Sequence, residues 1–139
     1  MDTVSPEQRS RNMAAIKGKD TKPELVVRRF LHAQGLRYRL HAAQLPGKPD
    51  MVFRQRSAIV LVHGCFWHRC PHCRVGRRSV RSNTGYWFAK IKRNQARDAA
   101  VLKALRSTGW KVFVVWECQV ADHALLGRLA KALKALRAR

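Results

Sequence analysis

The sequence predicts a single α/β domain built on a mixed β-sheet. Its 139 residues are enough for one hydrophobic core. Three predicted strands precede a long helical segment and a fourth strand follows it, a pattern typical of a hairpin-like first part and a crossover helix into a parallel strand. A continuous apolar run at residues 58–62 has the composition of a central strand that is buried on both faces.

Thr21 and Glu24 have the spacing of a capping box and predict the start of the first helix, and Gly35 predicts its end. Alternating residues 36–40 predict the first strand. Residues 1–20 are expected to form a basic arm or short helix before a single domain of residues 21–139. The remaining predicted elements are strands at 50–53, 58–62 and 110–116, a basic helix from Thr84 to about Arg106, and an amphipathic helix at 122–139.

Charge is the extreme feature of the composition. The 29 lysines and arginines outnumber the 8 acidic residues and give a net charge of +21. A compact domain with this much self-repulsion is typical of a protein whose partner is a polyanion, and nucleic acid is the first expectation. No apolar run approaches the roughly 20 residues that span a membrane, and the N-terminus does not resemble a signal peptide. We therefore expect a cytoplasmic protein without membrane contact.

The four cysteines predict a structural zinc site. Cys65, Cys70 and Cys73 are close in sequence, and Cys118 directly follows a predicted strand that could return to their loop. Four thiolates around one ion form a closed, structural zinc site. His68 and His72 are alternatives for one ligand. Two disulfides or inert buried thiols are the other interpretations, and both are disfavoured, by the missing secretion signal and by the polarity of the loop.

Few acidic residues are available for catalysis. Asp50 opens a strand next to a loop rich in proline and glycine, where an acid can hold Mg²⁺ against a phosphate. His63 and His68 could activate a water molecule, or could instead be zinc ligands or surface residues. Glu24 could support the same site or serve only as a helix cap. Asp98 is expected to be an ordinary i,i+4 partner on a basic helix.

Aromatic side chains are interspersed with arginines near the predicted zinc loop. Phe66, Trp67 and Trp87 could stack on bases or wedge between base steps, although Phe66 and Trp67 could simply cover the zinc site. The basic face of the long helix is expected to bind phosphates rather than only to be solvated. Its members are Lys90, Lys92, Arg93 and Arg97.

The run VHGCFWHRCP at residues 62–71 resembles the signature of the very short patch repair (Vsr) DNA mismatch endonucleases. Other blocks carry the same resemblance in chain order, from about residue 8 to residue 118. They are RSRNM (9–13), PGKPD (46–50), YW (86–87) with Lys90-Ile91 and Asn94, GW (109–110) and VWEC (115–118).

This resemblance implies a restriction-endonuclease-like fold and an enzyme that nicks one DNA strand 5′ of the thymine in T:G mismatches, which arise when 5-methylcytosine deaminates. It implies a monomer that acts on double-stranded DNA in the bacterial nucleoid and meets mismatch-repair proteins. Two alternatives are a related nuclease that cuts unmethylated or branched DNA and a non-catalytic, zinc-stabilised DNA-binding module.

The resemblance also implies roles for individual residues. Asp50 is expected to hold two catalytic magnesium ions, with the Val62 main-chain carbonyl as a further ligand. His68 is expected to activate water, assisted by Glu24 and His63, and Asp98 matches an acid of the family's long helix whose role is left open. One zinc ion is expected at the cysteines. The residues expected to contact or enter DNA are Met13, Phe66, Trp67, Trp87, Arg9, Arg11, Lys90, Arg93 and Asn94.

Two departures from common patterns stand out. Nuclease folds of this type usually place an Asp/Glu-x-Lys motif on the strand after the metal-binding acid, but residues 58–63 contain neither an acid nor a lysine. A water-activating histidine fits that gap, and the Vsr pattern shares it. Some relatives also place a histidine among the zinc ligands, so the choice between His72 and Cys73 is left open by the sequence.

Overall fold

A computed structural model describes residues 21–65, 68–74 and 84–136. The elements occur in the predicted order within these ranges. They are α1 (Lys22–Ala33), β1 (Arg39–Leu40), β2 (Met51–Phe53), β3 (Ala58–His63), α2 (Thr84–Ser107), β4 (Lys111–Trp116) and α3 (His123–Ala135), with single 3₁₀ turns at Arg54–Arg56 and Glu117–Gln119.

The strands form one four-stranded mixed sheet in the order β1-β2-β3-β4. β1 and β3 each pair antiparallel with β2, whereas β4 pairs parallel with β3. Since α2 connects the two parallel strands, the predicted hairpin-like first part and the crossover helix are both confirmed.

Apolar side chains cover both faces of the sheet. On one face, Val60 packs in a cluster with residues of α1 and α3, and on the other face Ile59 and Leu61 pack with Leu105 of α2. Helices therefore lie on both sides of the sheet. This arrangement explains why β3 reads as an unbroken apolar run, since alternate residues are buried against opposite layers.

The start of β1 differs from the prediction for an identifiable reason. Gly35 adopts a left-handed φ of 85°, and Leu36 donates its backbone N–H to the Leu31 carbonyl, as in a Schellman cap. The cap therefore uses Leu36, and β1 is confined to Arg39–Leu40 instead of residues 36–40.

The predicted arm of residues 1–20 lies outside the described residues. No helix within the described ranges is long and apolar enough to cross a lipid bilayer.

Candidate active site

Polar residues collect at one edge of the sheet. β2 is antiparallel to both β1 and β3, so β2 begins at this edge while β1 and β3 end there. β4 is parallel to β3 and therefore ends there as well. His41 follows β1, Asp50 precedes β2, His63 ends β3 and Cys118 follows β4. Three clusters of side chains capable of binding metal lie along this edge.

The first is the carboxylate cluster of Glu24, His41 and Asp50, in which one ligand atom from each residue lies within 4.8 Å of the others. Glu24 Oε1 is 3.4 Å from His41 Nε2. The Val62 backbone N–H donates a hydrogen bond of 2.8 Å to Asp50 Oδ2, and the His41 N–H donates one of 3.2 Å to the Asp50 carbonyl. Strand pairing thus fixes the position of Asp50 on both sides.

Glu24 has an unusual environment for a carboxylate. Its backbone N–H is capped by Thr21 Oγ1, as predicted, but its side chain makes no return hydrogen bond, so the capping box is only half formed. The residue is 1% exposed, and neither carboxylate oxygen has a hydrogen-bond partner. Arg28 Nη1 is 3.7 Å from Oε2. Burial of a charge costs several kcal/mol unless it is compensated, and a bound cation would compensate it.

Electrostatics at Asp50 lead to the same conclusion. The pKa of Asp50 is raised to about 7, chiefly by burial and in part by the neighbouring Glu24 charge, while the hydrogen bond from the Val62 N–H opposes the shift. The buried carboxylate of Glu24 and the half-buried carboxylate of Asp50 repel each other at close range, and a divalent cation would remove that repulsion. Because carboxylate oxygens are the preferred protein ligands of Mg²⁺, the two carboxylates of this cluster fit such an ion.

The second is the histidine cluster of His63, His68 and Asp98. The two imidazole rings are stacked, with centroids 4.2 Å apart and planes 10° apart. Burial, together with the nearby His68, lowers the pKa of His63 to about 4, so His63 is neutral at pH 7. His68 Nδ1 is 2.6 Å from Asp98 Oδ2. With the Nδ1 proton donated to Asp98, His68 Nε2 is the ring nitrogen that can accept a proton.

The expectation for Asp98 was wrong. Its carboxylate pairs with His68, 30 residues earlier in the chain, instead of with a basic residue one turn away on α2. The reason is the orientation of the helix, because Ile91 and Leu105 are both buried and Asp98 lies seven residues from each. That spacing is the signal in the sequence that places Asp98 on the inward face of α2.

The third is the cysteine cluster of Cys65, Cys70, Cys73 and Cys118, whose sulfur atoms all lie within 4.8 Å of one another. The Sγ atoms of Cys70 and Cys118 are 3.7 Å apart. Four thiolates about 2.3 Å from one zinc ion at tetrahedral angles have sulfur–sulfur distances of about 3.8 Å. The predicted return of Cys118 to the loop is confirmed, and the donor set fits a zinc ion.

His72 does not belong to this cluster. Its backbone N–H donates to Cys70 Sγ at 3.3 Å, and its ring centroid lies 6.4 Å from that of Trp116. The geometry therefore favours Cys73 over His72 as the fourth ligand.

Strand register brings the distant cysteines together. His63 and Trp116 are partners in the parallel pair β3–β4, and a cysteine follows each of them by two residues. The Cys118 N–H donates to Cys65 Sγ, and the Cys65 N–H donates to Glu117 Oε1, both at 3.3 Å. Burial raises the pKa of the Cys65 thiol well above its usual value, so the thiolate form needs a positive charge close by.

The DNA-contacting residues of the sequence analysis divide into two groups. Trp87 lies on α2 and is half-buried, with its ring against that of Tyr86 at 5.2 Å. Asn94 shares the α2 face of Trp87 and Asp98 by its spacing. Lys90 and Arg93 also lie on α2. Met13, Phe66, Trp67, Arg9 and Arg11 lie outside the described residues.

Sequence reasoning did not single out His41. Its place beside Asp50 depends on the pairing of Leu40 with Met51, which puts the residue after β1 opposite the residue before β2. A histidine at the end of a two-residue strand carries no recognisable pattern of its own.

Comparisons with known proteins identify the family of the chain. Residues 1–74 match the family described as DNA mismatch endonuclease Vsr. The chain is 39% identical over 134 residues to the DNA mismatch endonuclease Vsr of Escherichia coli, covering 92% of this chain and 85% of that protein.

Other relatives carry a different description. The type II nicking enzyme V.XorIIP of Xanthomonas oryzae is 46% identical over 133 residues, covering 95% of this chain and 96% of that protein. The type II nicking enzyme V.NmeAIP of Neisseria meningitidis is 40% identical, covering 96% of each chain. Since the family match includes more than half of the chain and these relatives match nearly all of it, the protein belongs to the DNA mismatch endonuclease Vsr family and is a hydrolase that cleaves DNA.

Proposed function

We propose that this protein nicks one strand of duplex DNA 5′ of the thymine in a T:G mismatch, in a reaction that depends on Mg²⁺. The observation that carries the proposal is the continuity of the two clusters. Asp50 accepts a hydrogen bond from the Val62 N–H. The residue after Val62 is His63, whose ring stacks on that of His68, and His68 pairs with Asp98. Metal-binding carboxylates therefore adjoin a histidine that can accept a proton.

The residues divide the chemistry between them. Asp50 and Glu24 hold the magnesium, two ions in the full site, with the Val62 main-chain carbonyl as a further ligand. When bound, the metal stabilises the charge that develops on the phosphate and lowers the pKa of bound water. His68 Nε2 takes a proton from the attacking water, whose oxygen bonds to phosphorus as the bond to the departing sugar oxygen breaks. His63 packs beside His68 in its neutral form.

The fold and the zinc site complete this proposal. We assign the mixed sheet, with helices on both faces and Asp50 at the start of β2, to the restriction-endonuclease-like class. One structural zinc ion at the cysteine cluster anchors the loop that carries His68, since His68 lies between Cys65 and Cys70. The net charge of +21 supports binding to the phosphates of duplex DNA.

Selectivity for the mismatch is assigned to the aromatic residues. Insertion of Phe66, Trp67 and Trp87 beside the mispair, with Met13 from the other groove, costs a few kcal/mol of base stacking, and less at a mispair than in paired DNA. This difference in stacking cost favours insertion at T:G mismatches over paired DNA. Arg9, Arg11, Lys90, Arg93 and Asn94 are assigned to contacts with the DNA around it.

A nicking assay tests the function. The protein is incubated with end-labelled duplexes that carry T:G in many sequence contexts, and with the same duplexes fully paired, with and without Mg²⁺. We expect a single nick 5′ of the mismatched thymine that requires Mg²⁺. Cleavage of paired duplexes at an equal rate would contradict the mismatch function. It would favour a second candidate, a sequence-specific nicking enzyme, which the names of several relatives support.

The proposed insertion of aromatic side chains beside the mispair predicts the behaviour of a double variant. We expect Trp67→Ala combined with Trp87→Ala to reduce the preference for T:G over paired DNA at least about tenfold, because stacking on a base is worth about 1–3 kcal/mol. The ratio of nicking rates on the two duplexes measures this preference. Trp110→Ala is the control for a tryptophan that packs against the core, and there the ratio should stay at the wild-type value.

The His68–Asp98 pair predicts a kinetic effect without loss of binding. We expect His68→Ala to lower the nicking rate at saturating DNA by about 100-fold or more, the usual contribution of a general base, and Asp98→Asn to lower it less. Single-turnover kinetics measure the rate, and fluorescence anisotropy measures DNA affinity. A His68→Ala protein with the wild-type rate would point to another base.

A further inference from the structure

An imidazole accompanies the two carboxylates of the carboxylate cluster. His41 is mostly buried, with a side chain that is 19% exposed, and its Nε2 is 3.4 Å from Glu24 Oε1. One ligand atom each from His41, Glu24 and Asp50 lies within 4.8 Å of the other two.

The backbone of His41 is held in this place. Its φ of 47° is left-handed, a conformation that residues other than glycine rarely adopt. Its N–H donates to the carbonyl of Asp50 at 3.2 Å. His41 is therefore tied through its main chain to one carboxylate residue while its ring meets the other.

The distances suit ligands of one ion. Two ligand atoms about 2.1–2.3 Å from an ion and at right angles to each other are about 3.0–3.3 Å apart, close to the 3.4 Å between His41 and Glu24. A second observation points to a cation here, since both oxygens of the buried Glu24 lack a hydrogen-bond partner.

We propose that His41 is a direct ligand, through Nε2, of the metal ion at the carboxylate cluster, and that it shifts the selectivity of the site towards Mn²⁺ over Mg²⁺. Carboxylate oxygens suit both ions, whereas imidazole nitrogen is a ligand of transition metals and is poorly suited to Mg²⁺. The proposal rests on the function above in placing the catalytic metal at this cluster.

The experiment measures metal binding without DNA. Full-length protein, with its cysteine cluster first saturated by one equivalent of Zn²⁺, is titrated with Mn²⁺ while the electron paramagnetic resonance signal of free Mn²⁺ is followed. Displacement by Mg²⁺ gives the affinity for that ion. The variant is His41→Gln, whose amide oxygen replaces Nε2 with a hard ligand, and the control is His32→Gln, at an exposed histidine of α1.

We expect His41→Gln to weaken Mn²⁺ binding about tenfold or more, with a smaller change for Mg²⁺, so that the ratio of the two affinities falls. Pulsed electron paramagnetic resonance spectra of bound Mn²⁺ should show a directly coordinated nitrogen-14 in the wild type and in His32→Gln, and none in His41→Gln.

Several results would overturn the assignment. They are Mn²⁺ binding to His41→Gln with the wild-type affinity, a nitrogen-14 signal that survives this substitution, and a wild-type protein that binds no Mn²⁺ or binds it without nitrogen. The two results on the wild-type protein need no variant, so they can overturn the assignment even if His41→Gln fails to fold. Because no DNA is present, a failure of the nicking assay leaves this test intact, and the reverse also holds.

Discussion

Asp50→Asn is expected to abolish nicking while leaving DNA binding largely intact. Asparagine keeps the shape of Asp50, and its amide oxygen can still accept the Val62 N–H, so the strand edge is retained. What is lost is the negative charge that anchors the metal ion. Metal stabilisation of the transition state is worth several kcal/mol, and each 1.36 kcal/mol is a factor of about ten, so the rate should fall about 1,000-fold or more.

A matched substitution makes this result specific. Asp122 caps α3, with Oδ1 accepting from the Leu125 N–H, and it lies outside the three clusters. Asparagine is an equally good cap, so Asp122→Asn should nick at the wild-type rate. Rates are measured on a T:G duplex at saturating Mg²⁺, and affinity by anisotropy at fixed salt. Retained Mg²⁺-dependent cleavage by Asp50→Asn would remove this carboxylate from the mechanism.

Loss of one proposed zinc ligand is expected to have the second large effect. We expect Cys73→Ser to release the zinc and to lower the melting temperature by at least about 10 °C. Structural zinc binding contributes about 10–16 kcal/mol, comparable with the whole stability of a domain, and each kcal/mol corresponds to several degrees. Nicking should be lost as well, because His68 lies between two ligands of the same cluster.

His72→Ala is the matched control for Cys73→Ser. The His72 ring lies outside the cysteine cluster, and the backbone N–H that contacts Cys70 Sγ survives the substitution. Zinc content, measured by elemental analysis, should stay at one ion per chain, with little change in melting temperature. The opposite pattern, in which His72→Ala loses zinc and Cys73→Ser keeps it, would make His72 the ligand.

Much of the fold follows from local patterns in the sequence. The apolar run of β3, the stop at Gly35 and the cap at Thr21 each act within a few residues, and each lies where it was expected. The cysteines were also informative, because few chemistries use four of them so close to one strand end and one loop.

The parts of the site that escaped prediction depend on contacts between distant segments. His41 joins Asp50 only through the pairing of β1 with β2, and Asp98 joins His68 only because α2 turns that face towards the sheet. Neither contact has a local signature. Glu24 was considered for both a cap and a site residue; its backbone N–H serves the cap, and its carboxylate lies beside His41 and Asp50.

The short turn between β2 and β3 has a consequence for which length changes the protein can tolerate. Phe53 pairs with Ala58 across this turn, and Ser57 closes it with a left-handed φ of 51°. Inserting or deleting a single residue there would slide β3 by one position and reverse the side of the sheet to which each side chain points. Val62 would then no longer meet Asp50, and His63 would leave the layer of α2. The number of residues in this tight connection therefore determines which residues of β3 lie beside Asp50 and His68.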